Sequence, residues 1–285
     1  MKLCRFNDDR LGVVEGDEVR DVTGVLDRLP LFRASFPKHD PVIARLPELM
    51  PALAEAARAA PALALSGVTL LSPVGNPGKV VAAPVNYMKH LDEAIADPHT
   101  FSAAHARAIQ ESGLFLKATS SITGMSGGVR LRFPHRRNDH EVELVAVIGR
   151  AGSDIAAADA LDHVAGYCIG LDMTVRGPEE RSFRKSVDSY TVLGPWLVTA
   201  DEFGSPEDVG LELSVSGEPR QKARTKDLIL SVRDLIVFAS SFYSLLPGDI
   251  LMTGTPEGVG PVNPGDIIRA SIERIGQIEV AVRNA

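Results

Sequence analysis

Glu141 and Glu143 stand two apart in an otherwise apolar run, Val142-Leu144-Val145-Ala146-Val147-Ile148, that ends at Gly149. Its β-branched content and length predict a strand, and side chains on a strand alternate between faces. The two carboxylates therefore share a face with Val145 and Val147, while Val142, Leu144, Ala146 and Ile148 line the other. Both faces read as buried. Carboxylates roughly 7 Å apart along a strand on a buried face lose their hydration and repel each other. Three arrangements answer that: shared protons, basic partners such as Arg130 or Arg132, or a bound cation.

A third acid, Asp172, lies near the end of another apolar run, 164–173. Alone it reads as a strand-end cap. Taken with the two glutamates it makes an all-oxygen set, which suits Mg²⁺, Mn²⁺ or Ca²⁺ and disfavours zinc. His90 and Glu93 are three apart on an expected helix, so they share a face and could form a base with its orienting carboxylate, or simply a solvated surface. Lys185 could be a buried functional lysine or a loop charge. The glycine-rich turn Thr253-Gly254-Thr255-Pro256-Glu257-Gly258 could offer backbone N–H groups to an anion, but it lacks the lysine of a P-loop. Arg130, Arg132, His135, Arg136 and Arg137 could catch a carboxylate, although a solvated or subunit-facing loop is the simpler reading.

These residues need elements to hold them. Short strands are expected in 1–30 and one or two helices in 41–65. Pro73, Gly75, Pro77 and Gly78 mark a boundary, which divides the chain into a small amino-terminal α/β module, 1–72, and a main catalytic domain, 73–285. Beyond it we expect a strand at 79–82, helix over 88–112 interrupted at Asp97-Pro98, and a second helix around 102–111 within that span. Strands are expected at 114–118, 129–132, 140–149, 164–173, 192–199, 209–216 and 267–283. A helix over 231–245 follows from the spacing of Val232, Leu235, Ile236, Ala239, Phe242 and Tyr243. The class is α+β and mainly β.

Composition narrows the field. A 45% hydrophobic share in 285 residues allows a full core, and a net charge of −7 argues against a nucleic-acid surface. Two cysteines, Cys4 and Cys168, are too few for a disulfide framework. No signal-peptide core or membrane-length apolar stretch is evident, so a cytoplasmic protein is expected.

From residue 79 onward the pieces come in a telling order. Asn86-Tyr87 precedes His90 and Glu93; Phe115-Leu116-Lys117, Glu141-Val142-Glu143-Leu144 and Leu171-Asp172-Met173-Thr174-Val175-Arg176 follow. Then come Lys185-Ser186, Leu193-Gly194-Pro195-Trp196 and Thr253-Gly254-Thr255-Pro256. This series resembles the fumarylacetoacetate hydrolase family. The resemblance implies a mixed β-sheet roll or partly closed barrel with a small amino-terminal domain, a homodimer, and one Mg²⁺ or Mn²⁺ (with Ca²⁺ conceivable in crystals) on Glu141, Glu143 and Asp172. It further implies a lid carrying His90 and Glu93 as the water-activating pair and Lys185 beside the substrate. Tyr87, Lys117, Arg176, Gly254 and Thr255 would contact the substrate. Two features depart from the pattern. Glu179 stands where many members have glutamine, and would repel an acidic substrate unless turned away. The stretch from His90 to Lys117 is also longer than in the small members.

The implied substrate is a small 2-oxo or 2,4-dioxo acid. Water would attack C4 of an acylpyruvate, the bond to C3 would break, and a pyruvate enolate would leave; releasing that charge is the hard part. The same enolate serves decarboxylation, isomerisation or hydration of oxaloacetate-like or unsaturated 2-oxo acids. Hydrolysis is preferred because His90 and Glu93 then have water to activate. A non-catalytic relative that binds a 2-oxo acid is the reading of a different class.

Overall fold

The computed structural model describes residues 1–96 and 109–285. It is a mixed α/β fold made mostly of sheet. The largest sheet runs in the order Ala62–Ala64, Glu18–Asp21, Arg10–Glu15, Lys2–Phe6, Thr191–Thr199, Val164–Asp172, Val142–Ile148, Ile250–Met252, Val80–Ala82, Phe115–Lys117. Strands of the first 72 residues thus continue the sheet that holds the two acid-bearing strands. A second sheet joins Glu218–Arg224, Gly210–Val215, Ile267–Ile272, Gly276–Asn284 and Val129–Leu131, and a small third one pairs Asn138–His140 with Thr174–Val175 and Gly260–Pro261. Among the described residues the sheets roll over a shared core without closing into a barrel. No described helix is long and apolar enough to cross a membrane.

The acid-bearing strand shows why the chain folds this way. All seven residues of Val142–Ile148 are buried. Val142, Leu144, Ala146 and Ile148 belong to the main apolar core, whereas Val145 and Val147 join a second core with Leu46, Leu49 and Leu53 of the helix Leu46–Ala59. The alternation expected from sequence is therefore realised, with one core on each side. Each of these valine, leucine and isoleucine side chains contributes about 1.5–3 kcal/mol by leaving water. A one-residue slip would exchange the two faces and turn the glutamates with them, so apolar packing dictates where the carboxylates point.

Pairing with the antiparallel neighbour finishes the placement. Val142 lies opposite Leu171 and Glu143 opposite Gly170, and the Asp172 N–H donates to the Glu141 carbonyl at 2.9 Å. Glu141 and Asp172 consequently face each other across the ladder, with Glu143 diagonal to Asp172. A Cβ at Gly170 would come within 2.5 Å of Val145 Cγ2, so only glycine fits there beside the acids.

Several expected elements divide differently. The 267–283 strand is a hairpin, Ile267–Ile272 and Gly276–Asn284, because Arg274 (φ 69°) and Gly276 (φ 126°) take positive-φ turn conformations. A strand absent from the expectation, Glu218–Arg224, pairs with Gly210–Val215 across the positive-φ pair Ser216-Gly217. Helix in 41–65 ends at Ala59, and Ala62–Ala64 becomes an edge strand. The helix Val232–Phe242 is closed at its start by a Ser231–Asp234 capping box, but Phe242 is exposed rather than part of its buried face. Of the 88–112 span, Met88–Ala96 and Ile109–Ser112 are helical; the expected interruption at Asp97-Pro98 and most of the second helix fall outside the described residues.

Candidate active site

The carboxylates of Glu141, Glu143 and Asp172 each bring an oxygen within 4.8 Å of the others, and all three residues are buried. Lysines meet them. Lys185 Nζ donates to Glu141 Oε2 at 2.7 Å and to Asp172 Oδ2 at 2.8 Å, so one ammonium bridges two acids. Lys117 Nζ donates to the other Asp172 oxygen and, at 2.8 Å, to the Tyr190 carbonyl. Arg176 reaches Glu141 Oε1 at 3.4 Å, its Nε donates to Asp139 at 2.7 Å, and the Thr174 hydroxyl donates to Glu141 Oε1 at 2.9 Å. Arg130 and Arg132 are not the partners: both are exposed, and Arg132 pairs with Asp188. Lysine supplies a compact charge on a long stem, able to reach into a site that these two surface arginines do not approach.

Glu143 is treated differently from its neighbours. Oε2 accepts from the Gly254 N–H at 2.7 Å, but Oε1 is buried with no hydrogen-bond partner among the described residues. Burial, then the charges of Asp172 and Glu141, push its pKa well above the usual carboxylate range. Burial would also raise Glu141, but the charges of Lys185 and then Arg176 outweigh it and the net direction is down. Lys117 is lowered, first by burial and also by Lys185, against the pull of Asp172. An all-oxygen trio with a bare, buried Oε1 fits a hard divalent cation: the donors are of the right kind and one is unsatisfied without it.

The remaining expected residues gather around this cluster. His90, in the helix Met88–Ala96, is buried, and its Nδ1 lies 2.9 Å from Glu93 Oε2. A carboxylate only accepts, so neutral His90 holds its proton on Nδ1. Glu93 Oε1 in turn accepts from the Gly258 N–H at 3.1 Å, which ties the helix to the glycine-rich loop. Tyr87 is buried with its hydroxyl unpartnered among the described residues; burial and then the nearby Glu143 charge raise its pKa. Thr255 is buried, but its hydroxyl donates to the Val142 carbonyl at 3.0 Å. Asn86 fixes the same loop by donating to the Thr253 carbonyl at 2.8 Å.

Other charges lie elsewhere. Glu179 is held by a bidentate pair with Arg136, at 3.0 and 2.7 Å, which accounts for the tolerance of a carboxylate at this position. Its pKa is lowered by that Arg136 hydrogen bond. Arg137 donates to Asp139, and His135 is exposed. Arg132, Arg136 and Arg137 are thus engaged with acids outside the trio. Thr174, Asp139 and Gln221 join the network although their sequence context did not mark them. Thr174 and Asp139 lie within two residues of an acid ligand candidate, a signal that proximity alone could have supplied; Gln221 had none, sitting in a polar strand.

Comparisons with known proteins follow the same lines. The family model described as fumarylacetoacetate (FAA) hydrolase C-terminal matches residues 79–283. Maleylpyruvate hydrolase of Aquipseudomonas alcaligenes is 56% identical over 286 aligned positions, covering 100% of both chains. The mitochondrial oxaloacetate tautomerase fahd2 of Xenopus laevis is 34% identical, covering 76% of this chain and 69% of that protein. The crystal structure of maleylpyruvate hydrolase from Sphingobium sp. SYK-6, in complex with manganese(II) and pyruvate, superposes with a TM-score of 0.85 at 38% identity over 100% of both chains.

Proposed function

The chain belongs to the fumarylacetoacetate (FAA) hydrolase family, and from that premise we propose that it is a metal-dependent hydrolase of acylpyruvates, maleylpyruvate foremost, releasing pyruvate and a carboxylic acid. The observation that carries this reading is the buried Glu141–Glu143–Asp172 trio bridged by Lys185. Full-length identity of 56% with a maleylpyruvate hydrolase supports the substrate class.

Glu141, Glu143 and Asp172 would hold Mg²⁺ or Mn²⁺, and a cation bound there would supply Lewis acidity to the 2-oxo acid. His90 Nε2, the deprotonated nitrogen of the neutral ring, takes the proton from the attacking water, while Glu93 holds the ring through Nδ1 and stabilises the imidazolium. Water adds to C4, the C3–C4 bond breaks, and its electron pair passes to the pyruvate half. Lys185 Nζ, beside Asp172, stabilises the charge that develops there and returns a proton to C3. Tyr87, Lys117, Arg176, Gly254 and Thr255 orient the acid. Lys117 and Arg176 do so by fixing Asp172 and Glu141 in place.

A second reading is tautomerisation or decarboxylation of oxaloacetate-like acids, supported by the likeness to an oxaloacetate tautomerase. Tautomerisation needs a proton transfer, which His90 can supply, and neither reaction needs added water. Pyruvate and maleate formation from maleylpyruvate, set against enol–keto exchange of oxaloacetate by the same protein, distinguishes the two. We also propose a homodimer in the cytoplasm, for which Leu31, Phe36 and Phe183, exposed on a single chain, offer apolar contact area; sedimentation velocity tests the assembly. We further propose that the chain divides at 72/73, supported by a family match that begins at residue 79.

A further inference from the structure

Gln221 sits on the polar strand Glu218–Arg224, is only 2% exposed, and spends its whole amide on the site. Nε2 donates to the Pro256 carbonyl and to the Thr255 hydroxyl, each at 2.8 Å. Oε1 accepts from the Val142 N–H at 3.1 Å and lies 3.2 Å from His140 Nδ1. The orientation is not reversible. Pro256 O can only accept and Val142 N–H can only donate, so the amide has one assignment.

Two consequences follow. Neutral His140 must carry its proton on Nδ1, which leaves Nε2 as a buried acceptor. The Thr255 hydroxyl, already receiving a hydrogen from Gln221, must direct its own proton to the Val142 carbonyl. That hydroxyl therefore has no proton left for a ligand. The Thr255 backbone N–H, by contrast, makes no hydrogen bond among the described residues. Gln221 and Thr255 also straddle Val142, the residue between two of the acids.

We infer that Gln221 is a positioning residue: it anchors the peptide joining Glu141 to Val142 and, through the Thr255 hydroxyl, sets the Gly254–Thr255 loop so that the Thr255 backbone N–H receives the substrate carboxylate. The inference rests on the metal site and substrate class proposed above.

The test is a double-mutant cycle in the full chain with Gln221→Met and Thr255→Val, reading pyruvate release from maleylpyruvate and Mn²⁺ binding by electron paramagnetic resonance of the free ion. Gln221→Met is expected to lose about 10- to 100-fold in kcat/KM and to weaken Mn²⁺ binding, as loss of an outer partner does. Adding Thr255→Val to it should cost under about threefold more, because coupled groups are not additive. Wild-type kcat/KM in folded Gln221→Met, or losses that multiply in the double variant, would overturn the inference. Gln221→Glu keeps the side chain's shape should the methionine variant not fold. Its buried carboxyl takes up a proton as pH falls and regains a donor, so its deficit should be largest near pH 8 and shrink near pH 6. A deficit flat in pH, or no deficit, overturns the proposal. Wild-type protein measured alongside separates the two readings: Mn²⁺ binding and pyruvate release there keep the functional proposal intact whichever way the variants fall.

Discussion

Lys185 Nζ stands 2.7 Å from Glu141 Oε2 and shares its remaining charge with Asp172. An ammonium so placed competes with a cation for the same two acids and also holds N–H donors beside the site. Its two roles separate experimentally. Lys185→Met should lower kcat by about 10²- to 10³-fold, as loss of a charge-stabilising donor does, while Mn²⁺ affinity holds or rises. Calorimetric Mn²⁺ titration beside turnover reads both. A parallel loss of binding would assign Lys185 to holding the acids in place.

Glu143 makes metal binding depend on pH. Burial, Asp172 and Glu141 raise its pKa, and the cation takes the deprotonated form, so Mn²⁺ affinity should rise with pH and binding should release a proton. The stability linkage has the opposite sense. A folded pKa above the unfolded value of about 4.3 contributes stability fully present below that value and lost as pH rises through the folded one. Metal-free protein should therefore lose Tm with rising pH more steeply than Mn²⁺-loaded protein. Parallel curves would contradict this.

Glu143→Gln removes the acid whose Oε1 is buried without a partner among the described residues. It should abolish Mn²⁺ binding and turnover while leaving the metal-free Tm equal or higher, because a buried charge in a crowd of acids is replaced by a neutral amide. Thermal melts with and without Mn²⁺ check it. Wild-type activity after chelation and Mg²⁺ resupply would remove Glu143 from the ligand set.

His90→Ala should reduce maleylpyruvate hydrolysis by about 10²- to 10⁴-fold, the usual worth of a general base, and oxaloacetate decarboxylation far less, since no water is activated there. Steady-state rates for both substrates decide it. Equal losses would mean that His90 serves binding rather than water.

The acids were legible in the sequence because carboxylates inside an apolar alternating run are buried charges that something must neutralise. Their shared face with Val145 and Val147 follows from strand geometry alone, and the two cores bear it out. The partners were less visible. Lys117 and Lys185 reach Asp172 from opposite ends of a long stretch of chain, through a strand order that periodicity does not encode. Arg130 and Arg132 were plausible from proximity in sequence and point away. Gln221 was invisible because the strand Glu218–Arg224 is mostly charged, with only Pro219 and Ala223 apolar, too little apolar alternation to announce it. The hairpin at Arg274–Gly276 carries a single glycine as its turn signal, since the other positive-φ residue is an arginine, a type that turn rules do not point to.

The decisive assay is pyruvate release from maleylpyruvate by metal-stripped protein to which Mn²⁺ is returned. Stripped protein should show no turnover, and one equivalent of pyruvate per substrate should appear once the ion is restored. Undiminished turnover without a divalent cation, or none in folded protein shown to hold Mn²⁺, would rule out a metal-dependent acylpyruvate hydrolase.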